Sequence, residues 1–254
     1  GPTGSGKTTT LYALLRPLNQ ETVNIVTVED PIEYSIPGVN QSHVRPEIGY
    51  SFAEGLRQIL RQDPNIIMVG EIRDEETASL VTHAALTGHI VLSTLHTNSA
   101  VGVVPRLIDM GIKPFLIPST LRVIISQRLI RILCDKCKKK VRLNDKTKNY
   151  GMQNLKNLPS DVKKEFKIPN PLYVYTANGC EVCNFKGYKG RMGLYEVLSM
   201  TDGLADIILK NPIESLILQE ARKQGMLTMA QAGIIKVLAG ETTLDEVERA
   251  TEEK

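Results

Sequence analysis

The first eight residues of the chain carry the pattern that most constrains its fold. Gly1-Pro-Thr-Gly-Ser-Gly-Lys7-Thr8 matches G-x-x-x-x-G-K-[ST] at every fixed position. In this pattern the glycines let backbone N–H groups turn toward phosphate oxygens, and the following helix presents its positive end to the same anion. Lys7 is expected to reach the β and γ phosphates of ATP, and Thr8 to offer its hydroxyl to Mg²⁺. The predicted nucleotide-binding residues are Gly1, Pro2, Thr3, Gly4, Ser5, Gly6, Lys7, Thr8 and Thr9.

Helical and strand-like segments alternate after this loop. The helical segments are Thr9 to Leu15, Phe52 to Gln62, Asp74 to Leu86 and Ser99 to Met110, and the strand-like ones are Val23 to Val28, Ile66 to Val69 and His89 to Leu95. Such alternation predicts parallel strands between helices, an α/β fold. Phosphate loops normally follow a buried strand and nothing precedes Gly1, so we expect the chain to be a fragment that lacks this strand.

Length and composition fit one large domain with a smaller appendage. The chain has 254 residues, 42% of them hydrophobic, and its net charge of +3 neither demands nor excludes a polyanionic partner. We expect an ATP-binding core at residues 1–133, a tetracysteine module at 134–190, and a strand followed by helices at 191–254. No apolar run approaches the roughly 18 residues that a membrane span needs, so we expect a cytoplasmic protein.

Acidic residues follow two of the predicted strands. Glu71 follows Ile66 to Val69, and Glu29, Asp30 and Glu33 follow Val23 to Val28. Ligands of open α/β sheets bind at the carboxyl ends of the strands. Glu71 is therefore predicted to hold the attacking water or act as general base, while Glu29, Asp30 and Glu33 share the positioning of metal and water. For each acid, a helix cap or a solvated loop charge is the alternative.

Histidine and arginine candidates accompany these acids. His89 and His96 stand at opposite ends of one strand, about 23 Å apart at the usual rise per residue, so both cannot contact one phosphate. His96, at the carboxyl end, is the better candidate to sense the γ-phosphate, although a single histidine near a core strand is more often structural. The arginines that could stabilise developing charge are Arg57, Arg61, Arg73 and Arg106, each of which could instead lie on a solvated helix face.

All four cysteines lie in two C-x-x-C pairs, Cys134 with Cys137 and Cys180 with Cys183. Four thiolates saturate a Zn²⁺ ion and leave no position for water, so the pattern predicts a structural zinc site. A redox pair or unmetallated thiols are the alternatives. Between the two pairs, the segment from Asp161 to Lys167 is predicted to be helical.

Basic residues are densest around the first cysteine pair. Such a run is usually a solvated face, but it could meet nucleic acid or anionic lipid. Base-stacking aromatic residues are not interleaved within it, which argues against binding of a single strand. The cluster comprises Arg128, Arg131, Lys136, Lys138, Lys139, Lys140 and Arg142.

The motifs together resemble those of the secretion-superfamily ATPases, the motors of type II secretion and type IV pilus assembly. The loop at Gly1 to Thr8 is similar to that family's Walker A, Val28 to Glu33 to its aspartate box, Val69 to Asp74 to its Walker B, and Thr87 to Thr97 to its histidine box. The tetracysteine module resembles that of assembly and secretion motors, and it is typically missing from retraction motors.

This resemblance implies a RecA-like ATPase core that works as a homo-hexamer bound to ATP and Mg²⁺. Each nucleotide would lie between this domain and a preceding N-terminal domain whose arginines help complete the site. We therefore expect weak hydrolysis by the fragment alone. The resemblance also implies a location at the inner membrane, with platform and recruiting proteins as partners.

Two other functions share this core. A nucleic-acid translocase or conjugation-type motor should carry basic pore loops with aromatic neighbours, and the chain has no Trp and only four Phe. A non-catalytic, nucleotide-gated assembly module should lack the catalytic acid, whereas Glu71 is present. The sequence therefore favours an ATP-hydrolysing motor for secretion or pilus assembly.

Overall fold

The computed structural model describes residues 1–142, 151, 153–155, 158–159, 162 and 173–251. The chain divides into two compact units that are discontinuous in sequence. The first contains Gly1–Thr97, Val101–Val123 and Ser199–Ile217, and the second contains Asn98–Ala100, Ile124–Leu198 and Leu218–Lys254. This division differs from the three contiguous regions expected, because residues 199–217 return to the first unit. The helix predicted from Asp161 to Lys167 falls outside the described residues except for Val162, and it stays a prediction.

The helices and strands are as follows. The strands are β1 (Ile25–Glu29), β2 (Asn40–His43), β3 (Ile66–Val69), β4 (Ile90–Ser93), β5 (Val123–Leu133), β6 (Lys139–Arg142), β7 (Tyr173–Thr176) and β8 (Tyr188–Ser199). The helices are α1 (Lys7–Leu15), α2 (Phe52–Ile59), α3 (Glu75–Leu86), α4 (Val103–Asp109), α5 (Ile117–Thr120), α6 (Asp202–Lys210), α7 (Glu214–Lys223), α8 (Met229–Leu238) and α9 (Leu244–Thr251).

A parallel sheet of four strands forms the centre of the first unit, in the order β2-β1-β3-β4. Ile25 pairs with Ile66 across β1 and β3, and Ile66 pairs with Ile90 across β3 and β4. The α/β fold expected from the sequence is therefore confirmed. Strand β2 was not expected, and α4 begins at Val103 rather than near Ser99.

Helices cover both faces of this sheet. On one face, Val26, Val28, Ile67 and Val69 pack with the apolar residues of α2. On the other face, Ile25 and Met68 pack with Leu11, Tyr12 and Leu15 of α1. Side chains alternate between the faces of a strand, so a strand covered on both sides must be apolar almost throughout. This explains why the predicted strands read as continuous apolar runs.

The second unit contains two small sheets. Strand β5 pairs with β8, and β6 pairs with β7 in antiparallel register. Ile130 of β5, Leu194 of β8 and Met229 of α8 form a buried cluster. Among the described residues, no helix combines the length and the apolar character needed to cross a membrane.

Candidate functional site

The predicted phosphate loop has the backbone that its glycines allow. Gly4 and Gly6 have φ angles of 76° and 89°, a region that residues with a Cβ atom rarely adopt. Helix α1 begins at Lys7 immediately after them. The Lys7 ammonium donates to the carbonyl oxygens of Gly1 at 2.9 Å and Pro2 at 3.1 Å. These contacts hold the cation over the start of the loop.

The loop lies beside the carboxyl edge of the sheet. The Gly1 nitrogen donates to the carbonyl oxygen of Leu95, at 3.2 Å, just after the end of β4. Leu95 directly precedes His96 in the chain. The tertiary fold therefore brings the phosphate loop next to the segment that carries the predicted sensor histidine.

A row of charged and titratable side chains follows the ends of all four parallel strands. Because those ends meet at one edge, residues far apart in sequence become neighbours. His43 Nε2 lies 3.9 Å from Asp30 Oδ1, and Asp30 Oδ2 lies 3.6 Å from Arg73 Nη2. Arg73 Nη2 lies 2.5 Å from Glu71 Oε1, and Glu71 Oε2 lies 3.1 Å from His96 Nε2. Glu71, Arg73, Asp30 and His96 are thus brought together.

Glu71 is the central member of this row, and both of its carboxylate oxygens have partners. Partial burial raises the pKa of Glu71, but hydrogen bonds and charges from Arg73 and His96 outweigh burial and lower the pKa below its ordinary value. The Arg73 guanidinium in turn has a raised pKa because it is bonded to Glu71. The Glu71 carboxylate is therefore ionised at neutral pH.

Backbone contacts set the position of Glu71. The N–H of Gly70 donates to the carbonyl of Val28 at 2.8 Å, and the N–H of Ile72 donates to the carbonyl of Thr94 at 2.9 Å. A Cβ atom at Gly70 would lie 3.3 Å from the Val28 oxygen, closer than an ordinary van der Waals contact. Glycine before Glu71 therefore allows the neighbouring strand to approach closely.

Glu29 is buried, unlike the other acids of its segment. It is 2% exposed and accepts hydrogen bonds from Tyr12, Thr27 and Gln41. Asp30 and Glu33 are exposed. The structure thus separates three acids that the sequence analysis treated as equivalent.

The remaining candidates are Arg57, Arg61, Arg106 and His89. Within the part of the chain that the structure describes, they contact other residues or solvent rather than this row. Arg57 pairs with Glu54 at 3.2 Å and with Glu76, while Arg61 and Arg106 are exposed. The His89 ring nitrogen Nδ1 lies 3.0 Å from the carbonyl oxygen of Ala84, a contact typical of a structural histidine.

His43 was missed by the sequence analysis. It ends β2, whose sequence Asn-Gln-Ser-His has no apolar residue to mark a strand. Its position follows from pairing with β1, where Glu29 lies opposite His43. Only the sheet register could have identified it.

The four cysteines form a compact cluster in the second unit. Their sulfur atoms all lie within 4.8 Å of one another. Cys134 and Cys180 are 3.9 Å apart, and Cys183 is 3.8 Å from both Cys137 and Cys180. Sulfurs at about 2.3 Å from a tetrahedral Zn²⁺ are about 3.8 Å apart, so the spacing fits zinc.

Backbone donors around the second cysteine pair favour a thiolate at Cys183, whereas the surroundings of Cys137 favour the thiol. Burial raises the pKa of Cys183, but N–H groups of Cys180 and Gly187, each 3.2 Å from its sulfur, outweigh burial and lower the pKa to about 6. Burial and the hydrogen bond with Cys180 raise the pKa of Cys137 to about 12. Gly179, directly before Cys180, has a φ of +88°. A Cβ atom there would lie 2.6 Å from the backbone oxygen of Phe185, so the turn has no room for a side chain at this position.

Tyrosines lie against the basic cluster, contrary to the expectation from sequence. Strand β7 pairs with β6, and Lys140 lies 4.4 Å from the ring centroid of Tyr173 while Lys138 lies 5.4 Å from that of Tyr175. Aromatic residues are therefore present beside the lysines. They were missed because they are distant in sequence.

Comparisons with known proteins agree with these features. The family model described as "Type II/IV secretion system protein" matches residues 1–249. The chain is 48% identical over 253 residues to "Type II secretion system ATPase E" of Vibrio cholerae, covering 100% of this chain and 48% of that protein. It is 47% identical over 249 residues to "Type IV pilus assembly ATPase PilB" of Myxococcus xanthus, covering 97% and 42% respectively. The chain thus spans about half the length of the curated relatives it matches.

Two solved structures have a similar fold. The pilus retraction motor PilT with bound ADP matches with a TM-score of 0.69 and 28% identity, covering 100% of this chain and 60% of that one. The Legionella pneumophila ATPase DotB matches with a TM-score of 0.66 and 25% identity, covering 98% and 57%.

Proposed function

The chain belongs to the type II/IV secretion system protein family, and we propose that it is the ATP-hydrolysing motor domain of a type II secretion or type IV pilus assembly machine. One observation carries the proposal: Gly1 of the phosphate loop bonds to Leu95, next to the His96 that contacts Glu71. Phosphate-binding and water-activating groups are therefore neighbours. The names of the relatives in Vibrio cholerae and Myxococcus xanthus support the choice of machine.

The reaction joins a water oxygen to the γ-phosphorus of ATP and breaks the bond between that phosphorus and the bridging oxygen of ADP. ADP, phosphate and a proton are released. Residues 1–9 hold the phosphates, Lys7 contacts the β and γ groups, and Glu71 accepts a hydrogen bond from the attacking water and then its proton. Thr8, through its hydroxyl, would hold Mg²⁺ together with Asp30 and Glu33, and the ion would supply positive charge to the phosphate oxygens.

Arg73 and His96 act on the same carboxylate. In the described conformation Arg73 contacts one Glu71 oxygen and His96 the other, and each oxygen keeps a second lone pair that can accept a hydrogen bond from water. His96 would reach the γ-phosphate from this position, and Arg73 has Asp30 nearby as a second acceptor. Arg57, Arg61 and Arg106 stay candidates for charge stabilisation, because a neighbouring subunit of the proposed homo-hexamer could receive them.

The tetracysteine centre is proposed to hold a structural Zn²⁺ through Cys134, Cys137, Cys180 and Cys183. With four thiolates there is no open position for substrate, so zinc would stabilise the module rather than take part in hydrolysis.

The partners are proposed on the family resemblance. They are an inner-membrane platform protein and a recruiting protein, with the motor cytoplasmic and peripheral to that membrane. The exposed lysines of β6 could also contact anionic lipid.

Nucleic acid is the weaker alternative partner. The positions of Tyr173 and Tyr175 beside the lysines support nucleic-acid binding more than the sequence alone does. However, each ring already has a lysine over it.

Turnover by the full-length protein tests this proposal. Glu71→Gln should keep ATP binding and lose most of the turnover, because the amide cannot accept the proton. The matched control is Glu47→Gln, an exposed position outside the row. Wild-type turnover in Glu71→Gln would contradict the assignment, and stimulation by nucleic acid would favour the translocase.

A further inference from the structure

A buried polar network connects the phosphate-loop helix to the sheet. The carboxylate of Glu29, on β1, accepts hydrogen bonds from Tyr12 of α1, from Thr27 of β1 at 2.6 Å, and from Gln41 of β2 at 3.0 Å. Tyr12 and Thr27 are both 0% exposed. Three elements of the first unit therefore meet at one carboxylate.

Because Glu29 is buried, the hydrogen-bond donors to its carboxylate come from the protein itself. Oε1 accepts from Thr27 and Gln41, and Oε2 accepts from Tyr12. A buried charge is tolerated only when it is hydrogen-bonded, and losing one donor leaves a large desolvation cost. Burial, and after it the hydrogen bond and charge of Glu29, raise the pKa of Tyr12, so its hydroxyl stays protonated and donates.

The position of Tyr12 on α1 relates this network to the nucleotide site. Tyr12 follows Thr8 by four residues, so the two side chains lie on one face of the helix, one turn apart. A directional hydrogen bond at Tyr12 restricts both rotation of α1 about its axis and its sliding along β1. Asp30, next to Glu29 in the chain, belongs to the charged row at the sheet edge.

We propose that Tyr12 and Glu29 are positioning residues, which orient α1 so that Lys7 and Thr8 face the magnesium–nucleotide complex. Glu29 acts through Tyr12 and does not bind the metal itself. This replaces the role in metal and water positioning that the sequence suggested for Glu29. The inference deepens the proposed function, because it concerns the same nucleotide site.

Two variants of the full-length protein separate positioning from simple stabilisation. Tyr12→Phe keeps the buried ring and removes the hydroxyl that joins α1 to β1. Thr27→Val removes a donor to the same carboxylate from within β1, so it is the matched control. The measurement is binding of a fluorescent ATP analogue over a series of Mg²⁺ concentrations.

Tyr12→Phe should raise the half-saturating Mg²⁺ concentration on the order of fivefold, as expected from the partial loss of one hydrogen bond to a charged group. Thr27→Val should stay within about twofold of the wild type, since α1 keeps its bond. Equal Mg²⁺ dependence in the two variants would overturn the inference. If Tyr12→Phe does not fold, Glu29→Gln, which keeps the shape and one acceptor, takes its place with the same expectation.

Amide hydrogen exchange without nucleotide distinguishes this inference from the proposed function. Exchange in residues 11–15 of α1 should quicken in Tyr12→Phe and not in Thr27→Val. If the protein binds nucleotide without hydrolysing it, the proposed function is wrong, but the exchange result at α1 still tests the inference. Unchanged exchange in a protein with wild-type turnover would defeat only the inference.

Discussion

His96 Nε2 lies 3.1 Å from Oε2 of Glu71. The two residues follow β4 and β3, which are paired in register with Val69 opposite Ser93. The contact is therefore a direct product of the parallel sheet. It brings the predicted base and the predicted γ-phosphate sensor into one hydrogen-bonded pair.

We expect His96→Gln to reduce turnover about tenfold or more while nucleotide binding is kept, because one charge-assisted contact at the reacting groups is lost. His89→Gln is the matched control, since His89 lies at the other end of the same strand and bonds to Ala84. Steady-state kinetics and a binding titration measure both effects. Equal loss in the two variants would point to folding rather than catalysis.

Replacing Arg73 should change the pH dependence of turnover. Arg73 lowers the pKa of Glu71, so in Arg73→Gln that pKa rises. Activity that depends on the Glu71 carboxylate is lost as pH falls through its pKa, and the acidic limb of the profile should therefore move to higher pH in the variant. Profiles of kcat for wild type and Arg73→Gln test this. A shift to lower pH, or none, would contradict the pairing.

Zinc should be present in protein purified without chelator. Elemental analysis is expected to find one Zn²⁺ per chain, because the four sulfurs form one cluster. Cys137→Ser should lose the metal and lower the melting temperature of the second unit, because a structural site contributes to folding. Ser160→Ala, which lies between the two cysteine pairs in the sequence, is the control. Full metal content in Cys137→Ser would argue against a four-thiolate site.

The hydrogen-bonded carboxylate of Glu246 should make the free energy of unfolding depend on pH. Burial raises its pKa, but hydrogen bonds from Arg131 and Arg249 outweigh burial and lower it from 4.5 to about 2. Because the folded pKa is depressed, the contribution is present above pH 4.5 and is lost as pH falls toward 2. It amounts to about 3 kcal/mol at neutral pH.

Denaturant unfolding of Glu246→Gln across pH measures this contribution. The variant should lose about 3 kcal/mol at pH 7 and progressively less in acid. Asp206→Asn, which breaks the exposed pair with Lys210 at 3.2 Å, should cost less than about 1 kcal/mol. A deficit in Glu246→Gln that does not shrink in acid would show that packing, not charge, explains the loss.

Local chemistry in the sequence was enough for much of the site. The phosphate loop needs consecutive residues with particular backbone freedom, as at Gly4 and Gly6. The cysteine pairs are likewise local, and Glu71 directly follows an apolar strand. In each case the property on which the prediction rests lies within a few neighbouring residues.

Partners from distant segments could not be predicted in the same way. Tyr173 meets Lys140 only because β7 pairs with β6. The sequence predicts helices in the last part of the chain, and α9 from Leu244 to Thr251 is one of them. It did not predict that Glu246 would form an ion pair with Arg131, a residue more than a hundred positions away.

Thus the sequence by itself determined an α/β fold with a phosphate loop, acids at strand ends and two cysteine pairs. Only the tertiary structure decided the different surroundings of Glu29 and Asp30, which are adjacent in sequence. Alternate residues of a strand face opposite sides, and α1 covers the side on which Glu29 lies, together with Thr27. Asp30 lies just beyond the strand and stays exposed. Burial by a neighbouring helix, not the residue type, is the physical reason that one carboxylate bonds to Tyr12 of α1 and the other lies in the charged row.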